Sequence, residues 1–254
     1  MHTRRATRLL RITRLAFHLV RGLATAAFIF PVQTAQRRKN TIQRWSARLL
    51  TCLAVRLHVH GTPRLETPLM LVSNHVSWLD IFAVNAVVPA RFVAKSEIRG
   101  WLLLGWLAYR SGTLFIERAR RRDTARINSE VIAALLAGDV FAVFPEGTTT
   151  DGSTVLKFHS ALLAPAVAAD AAVQPVAIRY ERTDGSLCVE AAYDGDKSFW
   201  DALLGMTTQC AIEVHVWFLE TVSHAQQHRR SVVGEVRDVI VRTLYPEGLR
   251  NRTV

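Results

Sequence analysis

The sequence predicts an α/β fold, a largely parallel mixed sheet flanked by helices and preceded by an N-terminal helical segment. Three observations carry this. From Pro68 onward, short runs rich in β-branched and aromatic residues alternate with stretches of helical periodicity, the pattern of a buried, mostly parallel sheet with helical crossovers. The 65 residues before Glu66 hold thirteen basic side chains and no acid, whereas the remainder sets nineteen bases against twenty-one acids. Finally, 254 residues suffice for one domain with a sizeable core plus an appendage. These shifts divide the chain into a basic, apolar helical segment over residues 1–60 and an α/β domain over residues 61–254.

In the first segment, Leu15 to Val32 is apolar except for His18 and Arg21. Its uninterrupted part, Gly22 to Val32, falls short of a bilayer core of about 30 Å at about 1.5 Å per residue, so an interfacial or re-entrant helix is expected. After the basic break from Gln36 to Asn40, Ile42, Trp45, Leu49 and Leu53 recur at helical spacing while Arg44 and Arg48 take another face. Such a helix lies on a membrane or packs on the protein's own core, and the two helices as a pair favour the membrane. Anionic headgroups would attract this arm at about 1 kcal/mol per basic residue. Phe17, Leu19, Val20, Phe28, Ile29 and Phe30, interleaved with the charges, suit lipid rather than nucleic acid. Cys52, Cys188 and Cys210 show no metal-ligand or redox spacing, which fits a reducing compartment. The expectation is a retained anchor on the cytoplasmic face of the inner (plasma) membrane rather than a cleaved leader.

Seven runs then read as strands: PLMLVS, RFVAK, GTLFIE, VFAVF, VQPVAIRY, SLCVEAAY and CAIEVHVWFLE. The clearest helix covers Thr124 to Ala137, where Ile127, Val131 and Leu135 share a face and Gly138 supplies the stop.

Two strand ends carry the residues that chemistry would need. Ser73-Asn74-His75-Val76-Ser77-Trp78-Leu79-Asp80 places His75 at the carboxyl end of a strand, where open α/β sheets put their sites. If a helix begins near His75, Asp80 can curl back to accept one imidazole N–H and leave the other nitrogen as a base; for an isolated pair, a capping histidine beside a solvated aspartate is the plainer alternative. Phe144-Pro145-Glu146-Gly147-Thr148-Thr149-Thr150 also follows an apolar strand and opens into a loop whose N–H and hydroxyl groups can hold a polar ligand or simply close a turn. Arg118 ends a third strand among other arginines, where a cation suits phosphate or is plain surface charge, and Pro175 interrupts a fourth.

In order and spacing these segments resemble the glycerolipid acyltransferase family, which contains the 1-acylglycerol-3-phosphate acyltransferases. The likeness runs from about Leu65 to Tyr180: N-H-x4-D at Asn74, His75 and Asp80, a terminal arginine at Arg118, F-P-E-G-T at Phe144 to Thr148, and a proline-bearing strand at Val173, Pro175 and Val176. The resemblance implies that His75 is the general base, Asp80 its orienting partner, and Glu146, Gly147, Thr148, Arg118 and Lys95 the substrate-binding residues. It also implies transfer of a fatty acyl group from an acyl-carrier protein or coenzyme A thioester to a lysolipid hydroxyl. The leading acceptor is 1-acylglycerol-3-phosphate, giving phosphatidic acid; the alternative is lyso-ornithine lipid or another lysophospholipid. Family members acting on phosphate-bearing acceptors commonly carry arginine after F-P-E-G-T and then F-K-x-G, where this chain has Thr149 and Phe158-His159-Ser160-Ala161.

Rival readings are weaker. A serine esterase would need a G-x-S-x-G elbow, which the sequence lacks. A non-catalytic lipid binder has no use for His75, Asp80 and Glu146 together. No metal-ligand or nucleotide-binding fingerprint occurs, so neither metal nor bound cofactor is expected beyond the thioester co-substrate.

Overall fold

The computed structural model describes residues 3–117, 121–195, 197–222 and 229–246. Seven strands form one sheet: β1 (Val55–Gly61), β2 (Leu69–Ser73), β3 (Arg91–Lys95), β4 (Leu114–Ile116), β5 (Val140–Val143), β6 (Ala172–Arg182) and β7 (Ile212–Phe218). Their order is β1-β7-β6-β2-β5-β3-β4, and every neighbouring pair is parallel except β6 with β7. In the parallel block β6-β2-β5-β3-β4, all the carboxyl ends therefore point to one edge. Along it stand the segments that follow β2 (His75), β5 (Glu146) and β3 (Lys95).

Two expectations need correction. The run SLCVEAAY is not a strand: only Leu187 forms a bridge, with Glu181, and the chain then turns back on itself through Ala191 N–H to Cys188 O and Ala192 N–H to Val189 O. Its apolar character comes from Cys188, Ala191 and Ala192, which are buried as a turn instead. Conversely, β1 is a strand the sequence does not announce, because its polar Arg56, His58 and His60 make it read as part of the basic segment. A boundary at residue 60 falls inside this sheet strand.

Strand periodicity sorts the core into two layers. On one face, Leu69 and Leu71 of β2 pack with Ile178, Val214 and Val216 against helices α1 (Arg5–Ala24), α2 (Ala35–Cys52), α3 (Asp80–Asn85) and α8 (Phe199–Thr208). On the other, Met70 and Val72 pack with Phe141, Val143 and Ala177 against α6 (Arg121–Leu136), α7 (Ala164–Ala168) and α9 (Arg229–Leu244). Two shorter helices, α4 (Ser96–Arg99) and α5 (Leu102–Arg110), fill the β3–β4 connection.

The N-terminal helices are built into this architecture. Leu49 and Leu50 of α2, with Leu53 just after it, are 1% exposed and seal the first core layer, so α2 turns its apolar face to the protein and not to a membrane. Helix α1 lies along the domain. The buried Arg11 guanidinium donates to Gln209 O and Cys210 O at 2.5 Å each, and His18 stacks on Trp45 of α2 with centroids 4.7 Å apart. Gly22 sits directly beneath that indole, where an added Cβ would stand 2.6 Å from Trp45 Nε1. Beyond Ala24 the helix runs on through a π turn (Thr25–Ile29) and a 3-10 turn (Phe30–Val32). Residues Arg5–Val32 are together long and apolar enough to cross a membrane.

The Trp45 ring is also packed on Phe82 at 5.7 Å and cannot swing clear. Gly22→Val should therefore lift α1 off α2 and lower stability by about 1–3 kcal/mol, whereas Ala24→Val, at an exposed position, should change it little. Chemical unfolding in detergent checks both; equal stability of the two variants would show that this contact is dispensable.

Candidate active site

His75 leaves β2 in a loop, and the loop itself, not a helix starting at His75, brings the aspartate back. A turn closed by Asp80 N–H to Ser77 O at 3.1 Å starts α3 at Asp80. The Asp80 carboxylate is fully buried. Its Oδ2 accepts from His75 Nδ1 at 2.7 Å, from Val76 N–H at 2.8 Å and from Ser77 N–H at 3.0 Å. Its Oδ1 accepts from the Tyr180 hydroxyl at 2.7 Å. Four donors converge on this one carboxylate and place the proton of a neutral imidazole on Nδ1, which leaves Nε2 with its lone pair open to a proton. The imidazole is 20% exposed and stacks on Phe144 at 4.0 Å, so burial and stacking together restrict its orientation.

Tyr180 is a site residue that sequence reasoning missed. It lies on β6, one strand over from β2, and is 1% exposed. Burial first, then the Asp80 charge and hydrogen bond, hold its phenol far above the usual range, so it stays a donor. The available signal was a tyrosine at the end of an otherwise aliphatic central run, since a buried hydroxyl needs a partner. Asn74 clamps the same two strands: its Nδ2 donates to Ile178 O at 2.9 Å, and its Oδ1 accepts from Ile178 N–H at 2.8 Å.

Glu146 follows β5 and reaches the His75–Asp80 loop from the other side. Oε1 accepts the His75 backbone N–H at 2.6 Å and Oε2 accepts Leu156 N–H at 2.7 Å. Thr150 N–H adds a bond to His75 O at 3.0 Å. With 4% exposure and both oxygens on backbone donors, Glu146 is placed to brace the loop, which differs from the acceptor contact that the resemblance implies. Gly147 turns the chain at φ +76°, a left-handed value that suits glycine. Thr148 is exposed at the loop tip, and the Thr149 hydroxyl donates to Tyr193 O. Lys95 ends β3 and is exposed; Arg118 lies outside the described residues.

A hydroxyl brought to Nε2 could lose its proton as it attacks a carbonyl, the arrangement required for acyl transfer without a serine nucleophile. The acyltransferase family model matches residues 56–179, which include His75, Asp80 and Glu146 and stop one residue short of Tyr180. The chain is 36% identical over 244 residues to the lyso-ornithine lipid O-acyltransferase of Pseudomonas aeruginosa, covering 93% of each. The chain belongs to the acyltransferase family. It is also 37% identical to the 1-acyl-sn-glycerol-3-phosphate acyltransferase of Neisseria meningitidis, covering 74% of this chain and 73% of that one. Its fold matches the crystal structure of the 1-acyl-sn-glycerophosphate acyltransferase PlsC of Thermotoga maritima, with a TM-score of 0.73, 22% identity and coverage of 94% and 93%. It is a lysolipid acyltransferase.

Two outcomes follow from the geometry of this acyltransferase. Asp80→Asn replaces an acceptor-only group with one that meets several donors through an amide N–H. Turnover should fall by about 10²–10⁴, the range seen when a catalytic histidine loses its orienting carboxylate. Tyr180→Phe removes one of the four donors and should lower turnover less, with a stability loss of about 1 kcal/mol. Steady-state kinetics beside unfolding curves separate the two effects; full activity in both variants would remove Asp80 from the reaction.

Burial pushes the Glu146 carboxyl from 4.5 up to about 7, outweighing the two N–H bonds that favour its ionised form. Between those values the folded chain holds a proton that the unfolded chain has released, so this group's contribution to stability falls as pH rises through the window. Relative to Glu146→Gln, which cannot titrate, the wild type should lose about 3 kcal/mol between pH 4.5 and 7. Denaturation midpoints of both proteins across that range test it, and a constant difference would contradict the shift.

Proposed function

We propose that this lysolipid acyltransferase acylates the hydroxyl of lyso-ornithine lipid, with His75 as general base and Asp80 as its orienting partner. His75 Nε2 takes the hydroxyl proton while the alkoxide oxygen attacks the thioester carbonyl. The C–O ester bond forms, the C–S bond breaks, and the proton held by the imidazole passes to the departing thiolate. Asp80 stabilises the imidazolium between these steps. Glu146, Gly147 and Tyr180 act at one remove by holding the loop and the carboxylate. The donor is a fatty acyl thioester of acyl-carrier protein or coenzyme A, and the enzyme works on the cytoplasmic face of a membrane, where both donors are found.

The observation that carries the acceptor is Thr149. Where a phosphate-binding member has arginine, this chain turns a hydroxyl onto the Tyr193 carbonyl, and His159 stands in place of the second expected cation. A phosphomonoester brings close to two negative charges and needs several cations to bury them; a zwitterionic headgroup does not. In support, a cleft of about 560 Å³ beside the ends of β3 and β4 is lined by Arg99, Arg122 and Arg126 together with Glu117 and Asp123, both signs on one wall. The relative acting on lyso-ornithine lipid is also matched over more of this chain, 93% against 74%. The second reading, 1-acylglycerol-3-phosphate with Arg118 and Lys95 on its phosphate, rests on the Neisseria relative.

The deciding measurement is the ratio of kcat/KM on the two acceptors. Wild type should prefer lyso-ornithine lipid by about tenfold or more, an energy of ~1.4 kcal/mol, and Thr149→Arg should move the ratio toward 1-acylglycerol-3-phosphate. A wild type that prefers the phosphate acceptor, with Arg118→Ala erasing that preference, would establish the second reading. His75→Ala should be inactive on both.

A further inference from the structure

We propose that α5 is a second membrane-docking element, which together with α1 and the exposed end of α8 seats the enzyme on an anionic lipid bilayer. This rests on the membrane reading above and goes beyond it by placing part of the contact in the β3–β4 connection, outside the N-terminal arm. From Gly100 to Tyr109 the sequence GWLLLGWLAY contains no charge. Helix α5 nevertheless buries only Gly105, while Leu102 is 87% exposed, Leu103 57% and Tyr109 59%, with Trp101 and Trp106 also open. A helix apolar on all sides and left at the surface is not serving its own core. Nor is it loosely placed: Gly105 lies so close on α4 that a Cβ would stand 2.5 Å from the carbonyls of Ile98 and Arg99.

The chemistry of the patch selects lipid. Two tryptophans and a tyrosine sit among leucines, with Lys95, Arg99 and Arg110 around them against the single acid Glu97 in residues 95–110, the composition of a membrane–water interface. At about 1.5 Å per residue nine residues span roughly 14 Å, too short to cross a bilayer. The patch is also continuous with other exposed apolar surface. The Arg110 guanidinium donates to Ala26 O at 2.9 Å, joining α5 to the end of α1. There Phe17, Val20 and Phe28 are 69%, 63% and 77% exposed. On the other side Trp101 meets Phe199 of α8 edge-on at 5.8 Å, Trp200 beside it is 67% exposed, and Phe199 packs on Trp78 of the catalytic loop at 5.1 Å. The docking face thus reaches the loop that carries His75.

The test uses the full chain and sedimentation with vesicles of phosphatidylcholine containing phosphatidylglycerol. Leu102→Asp/Leu103→Asp should lower the partition coefficient by about tenfold or more, because each leucine removed from apolar surroundings is worth roughly that factor. Leu136→Asp, equally exposed on α6 at 66%, should bind as wild type does. Phe17→Asp/Val20→Asp reads the α1 contribution separately: if it leaves binding intact while the α5 pair weakens it, α1 is not an anchor but the α5 proposal stands. An unaltered unfolding midpoint of the α5 pair confirms that the variant is folded. As an arm without added charge, quenching of tryptophan fluorescence by brominated acyl chains should fall in Trp101→Phe/Trp106→Phe. Unchanged binding by Leu102→Asp/Leu103→Asp overturns the proposal, and if that variant also converts a dimer to a monomer in sedimentation equilibrium, the occupant of the face is a second copy of the chain.

Discussion

A single buried carboxylate organises this enzyme. Asp80 has no exposure, and among the described residues no lysine or arginine stands at hydrogen-bond distance from it; its carboxylate is met by two backbone N–H groups, the imidazole and the Tyr180 phenol. An ionised group in such surroundings is tolerated only while those donors stay in place, since each one lost returns part of a large desolvation cost. The loop from His75 to Asp80 is therefore held in one shape by the same bonds that set the tautomer of the imidazole. Glu146 and Thr150 grip that loop from β5, and Asn74 locks β2 to β6 so that Tyr180 stays within reach. Catalytic geometry and local stability are here one set of hydrogen bonds.

Much of this was legible in the sequence, and the gaps have physical causes. Residues close in the chain gave themselves away: a histidine and an aspartate with four residues between them, placed after an apolar strand, were enough to pair His75 with Asp80. The shape of the connection was misjudged, because a loop whose N–H groups converge on a carboxylate leaves no periodicity to read. Tyr180 lies a hundred residues from Asp80, and nothing in local spacing says that β6 runs beside β2. The same blindness explains α2. Amphipathicity announces that an apolar face has a partner without saying which, and Leu49, Leu50 and Leu53 chose the sheet. Glu146 stood out in the sequence as the polar residue after an apolar strand, but its engagement with two N–H groups of distant loops could be seen only in three dimensions.

The antiparallel step between β6 and β7 explains why chemistry gathers on one part of the sheet. The five parallel strands send their carboxyl ends to a common edge, so the segments after β2, β3 and β5 face the same space. Beyond that step β1 and β7 run the other way, and their polar residues, such as His58, His215 and Glu213, meet each other instead. The parallel block also accounts for two of the ordered motifs, at His75 and at Glu146, since each is the segment that follows one of its strands.

The anchoring of α1 carries a consequence for synthesis. Thr3 bonds to residues about two hundred positions later in the chain, and the buried Arg11 depends on carbonyls at Gln209 and Cys210. At ~5–20 residues per second, the ribosome delivers those partners on the order of 10–40 s after the helix has emerged. Throughout that interval α1 has neither the end of α8 nor the following carbonyls to pack on, and its guanidinium is unsatisfied unless water or a lipid headgroup supplies acceptors. Helix α1 is thus fastened long after it is made, and a nascent chain close to a bilayer meets lipid before it meets its own fold.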